Sequence, residues 1–186
     1  MPEVLTEEER KALLQSPNPR TPTGLRNLCI MLLMLNAGLR VAEVQNLKVR
    51  DINWNTGKLF LRDFKKEKDR ILWVGENDLK VLSRWRERRP VQTDLLFTTL
   101  KGRILNDRYI RAMIKREALS GGIEKDVHPH MLRHTFATDI YRETKNIKLT
   151  QKVLGHANSS TTMVYTDIFD EENEDDMRGF VEKRGE

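Results

Sequence analysis

Hydrophobic residues in this chain recur mostly at helical spacing, and two short stretches are typical of β-strands instead. Residues 25–36 are almost continuously apolar and long enough for a buried helix, which Gly38 would end. Residues 58–64 and 70–74 are short, rich in β-forming side chains and separated by a charged turn. The pattern therefore predicts an α+β fold that is mostly helical, with a small antiparallel β-sheet.

Capping and helix-breaking residues mark the remaining helices. Thr6, followed three residues later by Glu9, forms a capping-box pattern at the start of a helix over residues 5–15. Further helices are predicted over residues 41–47, 78–89, 106–119 and, in three short pieces separated at Asn146 and at 155–158, over 129–165.

Length and cysteine content restrict the class of protein. The 186 residues fit one domain, or one domain with a short appendage, that buries its own core. The single cysteine, Cys29, lies in an apolar run and is expected to be a core residue in a reducing compartment. Apolar segments are short and interrupted by charge, and the N-terminus lacks the basic-then-apolar order of a signal peptide. We therefore expect a cytoplasmic protein that contacts no membrane.

The net charge of +5 conceals a division along the chain. Residues 167–186 contain nine acidic and three basic side chains, which leaves 30 Lys and Arg against 19 Asp and Glu in residues 1–166. A body this basic is expected to attract a polyanion, although basic surfaces also serve solubility. We predict one domain over residues 1–166 and an acidic tail over 167–186. The tail is expected to pack on a partner subunit or to fold back on the basic surface of its own chain.

Two arginine motifs are suited to binding an anion. Arg40 follows a helix-ending glycine and precedes Glu43, which can hold its guanidinium by hydrogen bonds. His130 and Arg133 lie three residues apart on one face of a helix that begins at Pro129, so they can converge on one ligand. The planar fork of arginine fits two oxygens of a phosphate. Taken singly, each motif is more typical of an ion-paired or solvated surface than of a binding site.

Two further patterns contain candidate reactive groups. A Leu-Gly-His motif ends at His156, and Tyr165 follows nine residues later. The turn between the predicted strands contains Lys65, Lys66 and Lys68. A lone tyrosine near the end of a domain is normally a packing residue, and a lysine-rich turn is normally solvated. Neither pattern decides the function by itself.

The order of these motifs resembles that of the tyrosine recombinases, which include phage integrases, Xer chromosome-dimer resolvases and fimbrial phase-variation invertases. The shared motifs are Gly-Leu-Arg-x-x-Glu, a hairpin lysine, His-x-Leu-Arg-His, Leu-Gly-His and the tyrosine, and they run from about residue 5 to residue 165. The resemblance implies a recombinase catalytic domain that cleaves and rejoins double-stranded DNA through a 3′-phosphotyrosyl intermediate. It also implies a homo-oligomer on DNA that needs no metal, cofactor or ATP.

The resemblance assigns roles to individual residues. It implies that Tyr165 is the nucleophile and that Arg40 and Arg133 bind the scissile phosphate. It further implies that His130 and Lys65 transfer protons and that His156 hydrogen-bonds the phosphate. These roles are chemically sensible, because fixed guanidiniums can stabilise charge on the non-bridging oxygens without a metal. A phenol with a pKa near ~10 also needs nearby cations and a base.

The chain departs from the family pattern at two points. The family's hairpin surrounds its lysine with glycine and small residues, whereas Lys65, Lys66 and Lys68 compete here, and counting back from Arg70 favours Lys65. The larger integrases also have an N-terminal DNA-clamping domain ahead of the matched region. We expect no such core-binding domain in this chain, which is then either a piece of a longer protein or a minimal enzyme.

A metal hydrolase is the first alternative. His130 and His134 stand four residues apart on a predicted helix, with His128 and His156 nearby, and such spacing can hold zinc. Against it, Met131 occupies the position where a zincin has its glutamate.

A DNA-binding module of the same fold without catalysis is the second alternative. The basic body supports it as well as it supports an enzyme, because phosphate contacts alone give non-specific affinity. The full set of candidate catalytic residues argues for an enzyme.

Overall fold

Eight α-helices and one two-stranded sheet make up the part of the chain that the computed structural model describes, residues 3–63, 68–154 and 171–184. The helices are α1 (Glu7–Gln15), α2 (Pro22–Asn36), α3 (Val41–Asn46), α4 (Glu76–Arg88), α5 (Asp107–Ser120), α6 (Pro129–Thr144), α7 (Ile147–Leu154) and α8 (Glu171–Arg184). The strands are β1 (Lys58–Asp63) and β2 (Lys68–Trp73). The predicted fold class is confirmed. None of the described helices has the length and apolarity needed to cross a membrane.

The apolar helix α2 lies at the centre of the core and contacts α1, α3, α4 and α6. It begins where the Thr21 hydroxyl accepts a hydrogen bond from the Gly24 N–H at 3.0 Å. Beyond its end, Gly38 adopts a φ of 73°, and a Cβ at this position would lie 2.3 Å from the Phe136 ring of α6. Only glycine therefore allows α2 to end so close to α6. Cys29 is buried in α2, as predicted, and burial raises the pKa of its thiol.

The β1–β2 hairpin is antiparallel and packs one face on the core. Leu61 pairs with Arg70 in its register. Leu59 is buried while its neighbour Phe60 is exposed, as the alternation of a strand requires. Strand β2 begins two residues earlier than predicted because Lys68 and Asp69 continue the pairing toward the turn. The turn itself, residues 64–67, lies outside the described residues.

Helices α6 and α7 correspond to the first two of the three short helices predicted after residue 129. They are separated where Lys145 adopts a left-handed conformation with φ 54°. The Asn146 side chain then accepts a hydrogen bond from the Leu149 N–H at 3.0 Å, which caps α7. The third predicted helix follows the break at 155–158 and falls on residues 159–165, outside the described part of the chain.

The described part of the acidic tail, α8, folds back on the same chain. Three of its apolar side chains are buried: Met177, Phe180 and Val181. Phe180 meets Phe136 edge-to-face at 5.9 Å between ring centroids. The Arg184 side chain, 6% exposed, binds Asp139 at 2.6 Å. The described contacts thus pair a cation of the tail with an acid of the body, the reverse of the charge pairing we expected. Burial of apolar area by these three side chains stabilises the described packing of α8.

Candidate functional site

Arg40 and Arg133 come together at the carboxyl end of α2, although 93 positions separate them in sequence. Arg133 lies on the second turn of α6, where its Nη1 donates to the carbonyl oxygen of Gly38 at 2.7 Å, a buried hydrogen bond. Arg40 follows Gly38 by two residues and precedes the first residue of α3, with 37% of its side chain exposed. The loop between α2 and α3 therefore joins the two arginine motifs.

Glu43 is the carboxylate of this site and binds two arginines. Its Oε2 accepts the backbone N–H of Arg40 at 2.7 Å, which closes the first turn of α3. The expected ion pair with the Arg40 guanidinium is present at 3.5 Å, through Oε1. A shorter pair, 2.5 Å, joins Oε2 to Nη2 of Arg70.

Arg70 is a part of the site that the sequence analysis did not single out. It lies on β2 opposite the buried Leu61 and two residues before the buried Leu72, so all three side chains belong to one face of the hairpin. A charged side chain next to buried leucines on one strand face needs a partner. That alternation is the signal from which a role for Arg70 could have been suspected.

The cluster carries an excess of positive charge. Its described side chains are three guanidiniums and one carboxylate: Arg40 and Arg70 pair with Glu43, and Arg133 binds the nearby Gly38 carbonyl. Burial lowers the pKa of the Arg133 guanidinium to about 9, and the charges of Arg70 and Arg40 act in the same direction while Glu43 opposes them. Arg133 nevertheless remains charged at neutral pH. Such a cluster attracts a phosphate or another anion.

His130 lies one helical turn before Arg133 on α6, as the motif predicted. Partial burial lowers its pKa, and the charges of His128, Arg133 and Arg111 lower it further. Its ring meets that of His134 edge-to-face at 4.2 Å between centroids. At neutral pH, His130 is therefore an uncharged imidazole that can accept a proton.

The described residues give no support to the metal-hydrolase interpretation. Within residues 3–63, 68–154 and 171–184 there is no group of three or more His, Cys, Asp or Glu side chains placed to hold a metal ion. His128, which was a candidate ligand, accepts the Met131 N–H through Nδ1 at 3.3 Å and caps α6.

Four candidates from the sequence lie outside the described residues: Lys65, Lys66, His156 and Tyr165. Their predicted roles stay predictions. The structure brings together Arg40 and Arg133 and places His130 on the same helix as Arg133.

Comparisons with known proteins identify relatives over nearly the whole chain. The profile of the phage integrase family matches residues 3–172. The tyrosine recombinase XerC of Shewanella amazonensis is 36% identical over 171 residues, which cover 90% of this chain and 57% of that protein. The crystal structure of XerA recombinase superposes with a TM-score of 0.77 at 32% identity, covering 94% of this chain and 64% of XerA. The XerH site-specific recombinase bound to its difH substrate superposes with a TM-score of 0.74 at 30% identity, covering 89% of this chain and 50% of XerH. The chain thus spans less than two thirds of the length of each of these relatives.

Proposed function

This chain belongs to the phage integrase family, and we propose from that premise that it is a site-specific DNA recombinase. It would cleave and rejoin DNA strands through a 3′-phosphotyrosyl intermediate. The observation that carries the proposal is the cluster in which Arg133 binds the Gly38 carbonyl beside Arg40 and Glu43. The relative XerH, at 30% identity, is bound to a DNA substrate, which supports DNA as the substrate here.

The proposed reaction is a phosphoryl transfer to Tyr165. Its phenolic oxygen forms a bond to phosphorus, the bond to the 5′-oxygen breaks, and the strand is left joined to the protein at its 3′ end. His130, neutral near pH 7, would take the phenolic proton, and Lys65 would protonate the leaving oxygen, which is far more basic than a phenolate. The ester keeps the energy of the broken bond, so a 5′-hydroxyl of another strand can reverse the steps without ATP.

The arginines would serve the transition state. As the fifth oxygen approaches phosphorus, negative charge accumulates on the non-bridging oxygens. Arg40 and Arg133 would bind these oxygens, with a further hydrogen bond from His156. Because protein contacts already hold the Arg133 guanidinium and the Arg40 backbone, little reorganisation is needed during the reaction.

The proposed enzyme has one catalytic unit in each chain and acts as an assembly of several chains. We assign the catalytic unit to residues 1–166 and treat residues 167–186 as a C-terminal segment of that unit. Strand exchange joins ends from two duplexes, so the working form is a homo-oligomer on DNA, and the reaction takes place in the cytoplasm.

Covalent trapping tests the proposal. The probe is a pool of duplexes that carry a nick and a randomised sequence on its 5′ side. Cleavage a few nucleotides before the nick releases a short fragment that diffuses away, which prevents religation. We expect a protein–DNA adduct that survives denaturation and forms in the presence of a chelator, and sequencing the trapped DNA gives the target. Binding without any adduct across the pool would favour the non-catalytic DNA-binding module and refute the proposal.

The pH dependence of cleavage should report His130. Because its pKa is lowered, the imidazole stays neutral to a lower pH than an ordinary histidine, and the rate should fall only as pH drops through a midpoint below 6.5. The measurement is the cleavage rate at subsaturating DNA, which reports the free enzyme. His130→Gln should slow cleavage about 100-fold or more and should remove this fall of the rate at low pH, the acid limb of the profile.

His128→Asn is a second variant that tests the same assignment. Asparagine can still cap α6, but the variant removes one of the charges that lower the His130 pKa, so the acid limb should move to higher pH. If the fall of the cleavage rate at low pH persists unchanged in His130→Gln, the group that titrates there is not His130.

Salt should weaken DNA binding steeply. The basic body is expected to contact phosphates through Lys and Arg, and each contact releases a counterion. A protein that contacts about six phosphates loses roughly 1,000-fold in affinity between about 50 and 200 mM salt. Titration of the trapped DNA sequence at several salt concentrations measures the slope, and a salt-independent affinity would remove backbone binding from the proposal.

A further inference from the structure

We propose that Arg70 is a positioning residue of this site: by binding Glu43 it keeps that carboxylate from neutralising Arg40. The inference rests on the proposed function, because Arg40 is taken there to bind the scissile phosphate. None of the sequence motifs assigned Arg70 a role; the proposal comes from the geometry around Glu43.

The two arginines bind Glu43 unequally. Arg70 Nη2 lies 2.5 Å from Oε2, and the two side chains are 15% and 17% exposed. The Arg40 guanidinium lies 3.5 Å from Oε1 and is more than twice as exposed. A short, half-buried ion pair is stronger than a long, exposed one, because solvent screens it less. The negative charge of Glu43 is therefore balanced mainly by Arg70.

Glu43 has a second role in the site, because it orients Arg40. Its Oε2 accepts the Arg40 backbone N–H at 2.7 Å and thereby holds the residue at the start of α3. The site thus needs a carboxylate beside Arg40 for geometry and needs that carboxylate neutralised for charge. Arg70 meets the second requirement. Without Arg70, we expect Glu43 to draw the Arg40 guanidinium toward itself and to cancel the charge that the phosphate needs.

Strand pairing fixes Arg70 in this position. Its partner across the hairpin is Leu61, and both Leu61 and the neighbouring same-face residue Leu72 are buried. The side chain is therefore held against the core while its head group reaches α3. Arg70 also contributes to the lowered pKa of Arg133, ahead of Arg40, so its charge acts on both proposed phosphate-binding arginines.

A suppressor experiment tests this role. We compare the single-turnover cleavage rate and the DNA affinity of the wild type, Arg70→Gln, Glu43→Gln and the double variant, using the trapped DNA sequence. Arg70→Gln should cut the rate about 10- to 100-fold, as a displaced catalytic group does, and change DNA affinity less than about 2-fold. Glu43→Gln keeps an amide oxygen that can accept the Arg40 N–H but removes the negative charge that competes for Arg40, so the double variant should recover to the rate of Glu43→Gln alone. Arg70→Lys should retain most of the wild-type rate.

Arg10→Gln is the matched control variant. Arg10 is 18% exposed and pairs with Asp139 at 3.4 Å, so it resembles Arg70 in burial but contacts neither Glu43 nor Arg40 in any described interaction. Its cleavage rate should stay within about 2-fold of the wild type at a temperature where both are folded.

A neutral substrate separates the electrostatic role from a merely structural one. A methylphosphonate at the scissile position lacks one negative charge, so its cleavage depends less on the positive charge of Arg40. The defect of Arg70→Gln should shrink to a few-fold on this substrate, whereas a misfolded variant would be equally slow on both. If Arg70→Gln does not fold, the same comparison is made with Arg70→Met, which keeps an apolar stem to pack beside Leu61 and Leu72 but carries no charge.

Three results would overturn the proposal for Arg70: a wild-type rate in Arg70→Gln, losses that add in the double variant, or an equal defect on the methylphosphonate. These differ from failure of the proposed function. A wild type that forms no adduct refutes recombinase chemistry and this role with it, whereas a wild-type adduct together with any of the three results refutes the role of Arg70 alone.

Discussion

Tyr165→Phe should abolish covalent attachment to DNA completely while DNA binding survives. The substitution removes one oxygen, which is the atom proposed to attack phosphorus, and keeps the ring. One lost hydrogen bond changes the free energy of unfolding by about 1 kcal/mol at most. The measurements are adduct formation on the trapped DNA sequence, DNA affinity and thermal unfolding. An adduct formed by the Phe variant at the 3′ end of the nicked strand would identify another nucleophile and end the proposed mechanism.

Tyr141→Phe is the matched control for that prediction. Tyr141 is an exposed residue of α6, so its variant should fold and form the adduct at the wild-type rate. Tyr109→Phe is a poorer control, because the Tyr109 hydroxyl accepts a hydrogen bond from the buried Arg26. Losing that acceptor costs stability and would confuse a folding defect with a chemical one.

Lys65→Ala should slow cleavage by about 10²- to 10⁴-fold, because it removes the acid proposed to protonate the leaving 5′-oxygen. Lys66→Ala, one position along the same turn, should have a small effect. Single-turnover cleavage on the trapped DNA sequence measures both. The reverse order of effects would make the assignment to Lys65 wrong, and equal losses would show that the turn has no single acid.

A sulfur leaving group tests whether Lys65 acts as an acid. A thiol has a pKa near ~8.5, so a 5′-thiolate leaves without being protonated. When the bridging 5′-oxygen is replaced by sulfur, Lys65→Ala should cleave at nearly the wild-type rate. A defect that persists on this substrate would assign Lys65 to binding or to folding instead.

Much of the helical architecture was predictable because local interactions determine it. The capping box of Thr6 and Glu9 is present at the start of α1. The Asn106 side chain caps α5 by accepting the Tyr109 N–H at 2.6 Å. Each of these signals involves residues within one helical turn of each other, so the sequence contains the whole interaction. The predicted ends of elements were less accurate. Strand β2, for example, begins two residues before the predicted start, because pairing with β1 extends it.

The acidic tail illustrates an inference from composition that stays a prediction, because seven of its nine acidic side chains are not among those that the structure describes. Net charge suggested that the acids of the tail would meet the basic body. The contacts of α8 that the structure describes bury Phe180 and place Arg184 on Asp139, which net charge did not indicate. A net charge sums over exposed, screened groups, whereas packing depends on which particular side chains are buried, and only the latter fixes an interface.

The sequence by itself determined which residue types are available for chemistry and on which elements they lie: an arginine after α2, and a histidine and an arginine on one face of α6. Only the tertiary structure decided that Arg133 reaches the Gly38 carbonyl across 95 positions and that Arg70 reaches Glu43 across 27. The physical reason is that periodicity and capping depend on neighbours along the chain, whereas these contacts depend on how closely packed elements approach. The glycine at position 38 lets α2 and α6 approach, and strand register aims Arg70 at α3.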